Sequence, residues 1–232
     1  GCTNLIEYRI DLLDTQPVHV KPYRCSPEQR KELCKNIDEL LELGVIEKSR
    51  SPWSSPLMIL KKPKEKGGGW RVVVDFRLVN NKTKNWVYEI PRVEEYLNSL
   101  GNSSYFSTLD AAKGYFQVPI REKDKEITAF IVPGRGSYMF SKMPMGAKCS
   151  AQTYQALMDM ILGPLKFEVA LCYVDDVLVV GKTFEQHLNN LKLVLQVIKE
   201  ANITLKPSKC IFAVPCIRFL GHIINEQGKF ID

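Results

Sequence analysis

The sequence is poor in the residues and runs that mark several large classes of protein. Its three histidines stand far apart, at His19, His187 and His222, so a histidine-rich transition-metal site has no support. No apolar run approaches the roughly 20 residues that a transmembrane helix needs. The N-terminus also lacks the charged-then-apolar order of a signal peptide. We therefore expect a soluble, intracellular protein with no membrane partner.

Cysteine usage excludes a disulfide framework. The seven cysteines are odd in number and scattered, and they include no C-x-x-C pair, which indicates reduced thiols rather than a zinc site. Any bound metal should then be a hard cation held by carboxylates.

Length and charge set broad limits on the fold and its partners. With 232 residues, 45% of them hydrophobic, the chain can form one large domain or two closely packed subdomains. The net charge of +6 permits a polyanionic partner without requiring one. The lysine-rich stretch at 61–66 is, on charge alone, more typical of a solvated loop.

Hydrophobic periodicity predicts helices mixed with antiparallel hairpins. Ser26 and Gln29 form a candidate capping box before a helix that ends at Gly44. Further helices are predicted at 91–100, about 150–162, and from Phe184 onwards after Thr183. Strands are predicted at 57–61, 70–76, 105–110, 117–120, 128–132, 138–142, 169–174, 177–180, 203–205, 209–212 and 219–224. Because strands and helices do not alternate regularly, the predicted fold class is α+β.

Acidic residues end two of the apolar strands. Asp175 and Asp176 follow one strand, and adjacent carboxylates raise each other's pKa unless a cation intervenes. A hairpin turn by itself also accommodates aspartate. Asp110, however, ends a second apolar strand, and the two strand ends could meet side by side. Magnesium fits such a site because it binds through a few carboxylates together with phosphate oxygens.

A series of ordered motifs accompanies these acids. The motifs occupy residues 43–46, 51–56, 70–80, 109–118, 143–147, 173–176 and 219–222. Together they resemble the reverse transcriptases, particularly those of gypsy-type LTR retrotransposons and, more distantly, those of retroviruses. The resemblance covers nearly the whole chain. It implies the fingers and palm of a right-hand polymerase, with an antiparallel palm sheet packed on helices.

The resemblance also implies a division of the chain. Residues 1–80 would form the fingers with an N-terminal extension, 81–104 the entry to the palm, 105–120 the palm, 121–146 the second part of the fingers, and 147–232 the palm up to the primer-grip hairpin. The thumb, connection and RNase H domains of the family are expected to be absent. Whether the active form is a monomer or a homodimer is left open.

The implied activity is RNA-directed DNA synthesis. Two Mg²⁺ ions, with Mn²⁺ as an alternative, would be held by Asp110, Asp175, Asp176 and the Ala111 carbonyl, and the three acids would be the catalytic residues. The substrates would be a dNTP and the 3′-hydroxyl of a primer on an RNA or DNA template. The expected location is the cytoplasm, within a virus-like particle of the element.

Other residues match family positions that contact the nucleotide. Arg71 and either Lys62 or Lys64 would bind the triphosphate, Tyr115 would be the steric gate against a 2′-hydroxyl, and Met145 would make van der Waals contact. The ordinary alternative for Arg71 is a surface residue of a strand. The ordinary alternative for Tyr115 is an aromatic residue of the core. The candidate template and primer contacts are Asp75, Arg77, Asn80, Gly146, Tyr173, Leu220, Gly221 and His222.

Two alternative functions use the same fold. One is a domesticated or truncated reverse-transcriptase fold that binds nucleic acid or a protein partner without synthesis, but a decayed copy should have lost an acid, and all three acids and Arg71 are present. The other is an RNA-dependent RNA polymerase. Tyr115 disfavours it, because an enzyme that accepts ribonucleotides would not place a bulky gate there.

Overall fold

The computed structural model describes residues 1–61, 63, 68–92 and 103–231, and it divides the chain into two compact units. The first unit comprises Gly1–Ile6, Val87–Gln117 and Ala151–Asp232, and the second comprises Glu7–Trp86 and Val118–Ser150. Each unit is therefore assembled from segments that are distant in sequence.

Helices and short strands supply the regular structure of both units. The helices are α1 (Pro27–Glu42), α2 (Arg77–Lys82), α3 (Ser150–Leu162) and α4 (Phe184–Glu200). The strands are β1 (Ile46–Lys48), β2 (Leu57–Lys61), β3 (Trp70–Val74), β4 (Tyr105–Asp110), β5 (Phe130–Val132), β6 (Gly136–Phe140), β7 (Ala170–Tyr173), β8 (Asp176–Gly181), β9 (Ile211–Val214), β10 (Cys216–Phe219), β11 (His222–Asn225) and β12 (Gly228–Ile231). Short 3₁₀ turns lie at Gly114–Gln117, Glu122–Thr128, Gly163–Leu165 and Pro207–Lys209.

The first unit is built around an antiparallel sheet with strand order β7-β8-β4-β9. Strand β8 reads almost entirely apolar because it lies inside the sheet, with Val177 to Val180 buried. A second antiparallel sheet, β10-β11-β12, adds side chains to the same core. That core contains Phe106, Leu171, Leu178, Val180, Ile217, Phe219 and Ile224.

The second unit contains the β2-β3 hairpin and the three-stranded sheet β1-β6-β5. A bridge between Ser55 and Phe130 connects these two sheets. Helix α1 covers them with its apolar face, on which Leu33 and Ile37 are buried. Its N-terminus confirms the predicted capping box, because Ser26 accepts from Gln29 N and the Gln29 side chain accepts from Ser26 N.

Some predicted elements are wrong. A 3₁₀ turn and isolated bridges replace the strand at 117–120, since the Gln117 side chain binds Thr204 and Pro119 has no N–H for a ladder. Residues 203–205 form only a bridge at Leu205. The strand at 219–224 is two strands, β10 and β11, and α2 was not predicted from the sequence. Most of the helix predicted at 91–100, namely residues 93–100, lies outside the described residues.

The helices in the part of the chain that the structure describes are too short or too polar to cross a bilayer.

Candidate active site

The three predicted catalytic carboxylates are brought together at one end of the first unit's main sheet. Asp110 is the last residue of β4, and it lies directly opposite Asp176, the first residue of β8. Asp175 lies in the two-residue turn between β7 and β8, where Tyr173 pairs with Asp176. Residues directly opposite on antiparallel strands have Cβ atoms about 4.5–5.5 Å apart. The fold therefore places like charges side by side, an arrangement that costs stability unless a cation balances it.

The turn that carries Asp175 has an unusual backbone. Val174 has a φ of 55°, in the left-handed region. Two-residue hairpin turns need positive φ, which glycine or asparagine ordinarily supplies. A β-branched residue there is strained, at a cost of about 1–3 kcal/mol that the surrounding structure must offset.

The carbonyl of Ala111 points to the same region as the carboxylates. Lys206 N donates to Asp110 O at 2.8 Å, and Ala112 N donates to Thr204 O at 2.9 Å, on either side of the bridge between Ala111 and Leu205. In such a bridge the intervening residue turns its own N–H and C=O to the other edge of the strand. That other edge of β4 is the one on which β8 runs. The Ala111 carbonyl is therefore not used by the bridge to Leu205, and its role as an oxygen ligand stays a prediction.

Repulsion among the carboxylates contributes to a raised pKa at Asp176. The pKa of Asp176 is raised by desolvation first and then by the charges of Asp175 and Asp110. The Asp176 residue itself is exposed, so this desolvation comes from the protein packed around the carboxylate rather than from complete burial. Lys209 opposes the shift with its positive charge.

Lys209 is a site residue that the sequence did not reveal. Its Nζ lies 2.9 Å from Asp110 Oδ2, and this hydrogen bond is the main reason that the pKa of Lys209 is raised. The side chains are 56% and 31% exposed for Lys209 and Asp110, so the pair is solvent-screened and contributes little stability. Lys209 therefore supplies a replaceable positive charge to Asp110.

The three carboxylates and the Ala111 carbonyl suit a hard divalent cation that completes its coordination shell with other ligands. Among the described residues no group of three or more His, Cys, Asp or Glu side chains is already arranged around a metal position. Mg²⁺ does not need such a cage, because it usually binds through one or two carboxylates with waters and substrate phosphates. Crowded carboxylates, one of which has its pKa raised by desolvation and then by its neighbours' charges, fit that chemistry.

Tyr115 stands on a second aromatic ring in the first unit. Its ring is stacked on Tyr154, with centroids 5.3 Å apart and planes 14° apart. Burial and then the charge of Asp175 raise the pKa of Tyr115 to about 12, so its hydroxyl is neutral at physiological pH. Tyr154 is fully buried on α3 and was missed by the sequence analysis. It supports the candidate gate from beneath.

In the second unit, Arg71 and Met145 lie together. Arg71 is an exposed residue of β3, and its Nη2 lies 3.5 Å from Met145 Sδ. Asn80 fixes the turn around them, because its Nδ2 donates to Gly146 O at 2.9 Å and its Oδ1 accepts from Lys148 N at 2.8 Å. Gly146 has a φ of 85°, a conformation that glycine tolerates without strain.

Asp75 and Arg77 form a pair within the second unit. Arg77 Nε and Nη2 donate to the Asp75 carboxylate at 2.8 and 2.6 Å, and Tyr23 Oη donates to it at 3.1 Å. The Arg77 hydrogen bonds are the first cause of the Asp75 pKa of about 2. Asp75 is thus committed to internal hydrogen bonds, while Arg77 keeps most of its side chain exposed.

The candidate primer-grip residues form a tight turn in the first unit. Leu220 and Gly221, with φ of 48° and 77°, connect β10 to β11, where Phe219 pairs with His222. Two successive positive φ values are typical of the type I′ hairpin turn. Lys62 and Lys64, the other nucleotide-binding candidates, lie outside the described residues.

Comparison with known proteins identifies the family and the fold. The family described as "Reverse transcriptase (RNA-dependent DNA polymerase)" matches residues 60–224. The Pol polyproteins of transposon 297 and of gypsy, both from Drosophila melanogaster, are 35% and 31% identical over 97% and 96% of the chain. A solved foamy viral protease-reverse transcriptase in complex with RNA/DNA hybrid matches the whole chain with a TM-score of 0.90 and 25% identity. The predicted α+β polymerase fold is confirmed by this match.

The matched proteins are much longer than this chain. The chain spans 21% of the transposon 297 polyprotein, 22% of the gypsy polyprotein and 31% of the foamy viral chain. The family match nevertheless covers more than half of the present sequence, and it includes all three carboxylates. The chain therefore belongs to the reverse transcriptase (RNA-dependent DNA polymerase) family, with relatives among gypsy-type LTR retrotransposons.

Proposed function

We propose that this chain carries the catalytic centre of an RNA-directed DNA polymerase that adds dNTPs to a primer 3′-hydroxyl. The observation that carries the proposal is the pairing of Asp110 with Asp176 at neighbouring strand ends, with Asp175 in the adjoining turn. Such an array of negative charge has little structural value by itself, but it is suited to binding divalent cations.

The candidate ligands for those cations are Asp110, Asp175, Asp176 and the Ala111 carbonyl. Reverse transcriptases generally use divalent metals, and two Mg²⁺ or Mn²⁺ ions would supply activation of the primer hydroxyl and neutralisation of the leaving pyrophosphate. Lys209 balances part of the charge on Asp110. Lys209 would move aside when the site is loaded.

The predicted nucleotide contacts are Arg71, Lys62 or Lys64, Tyr115 and Met145. The planar guanidinium of Arg71 suits two phosphate oxygens, and Lys62 or Lys64 would add a further positive charge. The Tyr115 ring would pack under the sugar and exclude a 2′-hydroxyl, while Met145 would contact the nascent base pair through its polarisable sulfur.

The second unit would correspond to the fingers and the first unit to the palm. On this assignment Asp75, Arg77, Asn80 and Gly146 support the template, and Tyr173, Leu220, Gly221 and His222 contact the primer. A nucleic-acid partner is supported by the foamy viral relative, which was solved with an RNA/DNA hybrid. As part of a retrotransposon Pol polyprotein, the chain would act inside the cell, within a cytoplasmic virus-like particle.

The proposal is tested by extending a labelled DNA primer on an RNA template with dNTPs and Mg²⁺, comparing the wild-type chain with Asp175→Asn. We expect single-nucleotide addition by the wild type and its loss in the variant, with equal template-primer binding by both. Binding without addition by either protein would favour a nucleic-acid-binding module and overturn the polymerase assignment.

A further inference from the structure

The side-chain amide of Gln155 lies against the outer edge of β7, next to the turn that carries Asp175. Gln155 is fully buried on α3. Its Oε1 accepts from Val174 N at 2.8 Å, and its Nε2 donates to Cys172 O at 3.0 Å. One amide therefore satisfies two backbone groups that flank Tyr173.

These two backbone groups would otherwise have no sheet partner. Strand β7 is at the edge of the sheet, so its outward N–H and C=O groups face away from β8. A residue of a neighbouring parallel strand would bind the C=O of one residue and the N–H two residues later. Gln155 makes the same pair of bonds with Cys172 and Val174. It takes the place of the next strand and extends the ladder into the turn.

The orientation of the Gln155 amide is fixed by the partly buried carboxylate of Asp159. Its Nε2 also donates to Asp159 Oδ1 at 3.0 Å, and Lys166 Nζ lies 2.7 Å from the same oxygen. Tyr88 Oη donates to Asp159 Oδ2 at 2.8 Å. Because Asp159 accepts hydrogen bonds, the amide nitrogen must face it, and the amide oxygen must face Val174 N. The acceptor is therefore held by contacts that do not involve the turn.

Val174 is the residue that needs this support. Its left-handed φ of 55° is unfavourable for a β-branched side chain, so the turn will relax unless a contact holds it. The Gln155 bond to Val174 N is such a contact. Any relaxation would move Asp175, the next residue, relative to Asp110 and Asp176.

We propose that Gln155 is a positioning residue that holds the strained Val174 turn and thereby sets the place of Asp175 in the catalytic array. The proposal rests on the proposed polymerase function for its effect on activity. The pair of hydrogen bonds from Gln155 to Cys172 and Val174, which we call the Gln155 clamp, can be measured independently of that function.

The clamp is measured by hydrogen exchange at the Val174 amide, using NMR on the whole chain. In the wild type we expect this amide to be protected, although it lies in a turn. Gln155→Met keeps the volume but removes both bonds, so exchange at Val174 should quicken by about tenfold or more. Gln152→Met, three residues earlier on α3, should leave it unchanged. A wild-type Val174 amide that exchanges as fast as an exposed turn amide would overturn the proposal, even if Gln155→Met does not fold.

The positioning role is tested by rescue. Gln155→Met should slow single-nucleotide addition by about 10- to 100-fold, since small displacements of catalytic groups have effects of that size. Glycine adopts the left-handed conformation freely, so adding Val174→Gly should restore about tenfold of the lost rate. A general weakening of the core by Gln155→Met would not be repaired by glycine in the turn, and absence of rescue would overturn the positioning role.

The polymerase function and the role of Gln155 can be overturned independently of each other. If the wild type adds no nucleotide, the proposed function is overturned, and the exchange measurement still decides whether Gln155 holds the turn. If the wild type is active but Gln155→Met exchanges and reacts like the wild type, the clamp is overturned and the polymerase function stands.

Discussion

Tyr154 combines a supporting ring with a hydroxyl that has no hydrogen-bond partner among the described residues. A buried unsatisfied hydroxyl costs about 1–3 kcal/mol, so the fold tolerates it at the expense of stability. Burial also raises the pKa of this hydroxyl, so it carries no charge at physiological pH. The stacking of the ring on Tyr115 does not depend on the hydroxyl.

We therefore expect Tyr154→Phe to be as stable as the wild type or up to about 1 kcal/mol more stable, with the Tyr115 stack retained. Urea unfolding would measure the change in free energy. Tyr154→Leu is the matched comparison, because it removes the hydroxyl and the ring together and should cost about 2–4 kcal/mol. If Tyr154→Phe lowered the free energy of unfolding by more than about 1 kcal/mol, the hydroxyl would have to form a hydrogen bond in solution.

Discrimination against ribonucleotides should depend on the ring of Tyr115 and not on its hydroxyl. We expect Tyr115→Val to lower the preference for dNTP over rNTP by about tenfold or more, since a lost steric contact is worth about 1–3 kcal/mol. Tyr115→Phe should keep the preference, because it retains the ring that excludes the 2′-hydroxyl. The ratio of kcat/KM for the two nucleotides is the measurement, and an unchanged ratio in Tyr115→Val would remove Tyr115 from the gate.

At the scale of elements, a buried hydrogen bond fastens α4 to the main sheet. His187 Nε2 lies 2.7 Å from Ser107 Oγ on β4, and Ser107 Oγ accepts from Ala213 N on β9 at 2.9 Å. The start of α4 approaches β8 so closely that a Cβ at Gly181 would lie 2.6 Å from His187 Cα. Within the described residues, His187 Nδ1 has no hydrogen-bond partner. A second proton on the ring would therefore be buried without an acceptor.

Stability should fall at mildly acidic pH because of His187. Burial is the first cause that lowers its pKa, and the polar influence of the Val180 carbonyl, which falls short of a hydrogen bond to Nδ1, opposes the shift only in part. Below the unfolded-state pKa of about 6.5, the unfolded chain binds a proton that the folded chain excludes, so stability is lost as pH falls towards the folded pKa. The slope is at most about 1.4 kcal/mol per pH unit.

Urea unfolding between pH 5 and 7.5 measures this slope, and His187→Gln provides the comparison. The variant should lack the part of the slope that begins at about pH 6.5. Identical pH profiles for wild type and variant would show that His187 does not titrate between the folded and unfolded states.

The helices and strands that depend on local sequence pattern were predicted from the sequence. The strand that ends in Asp110 and the two strands that flank Asp175 were predicted because their apolar runs stop at an acid, and α1 was predicted from its capping box. Helix α2 was missed because it is short and its first residue, Arg77, is committed to Asp75. Local pattern carries no information about such tertiary pairing.

Across the whole molecule, the residues that surround the catalytic array were the hardest to predict. Lys209 is 99 positions from its partner Asp110, and Gln155 is 19 positions from Val174. A lysine in a polar segment and a glutamine within a helix both resemble ordinary surface residues in sequence. Only the fold shows that one balances an aspartate and the other is fully buried against the edge of a sheet.

The central claim is that the paired carboxylates carry out the chemistry. It is tested most directly by the rate of single-nucleotide addition on an RNA template, comparing Asp110→Asn with Asp38→Asn. Asp38 is an exposed carboxylate of α1 paired with Arg135, so it matches the chemical change without belonging to the array. We expect Asp110→Asn to slow addition by about 10³-fold, equivalent to roughly 4 kcal/mol, and Asp38→Asn to leave the rate unchanged. Equal rates for the wild type and both variants would contradict the assignment of the catalytic site.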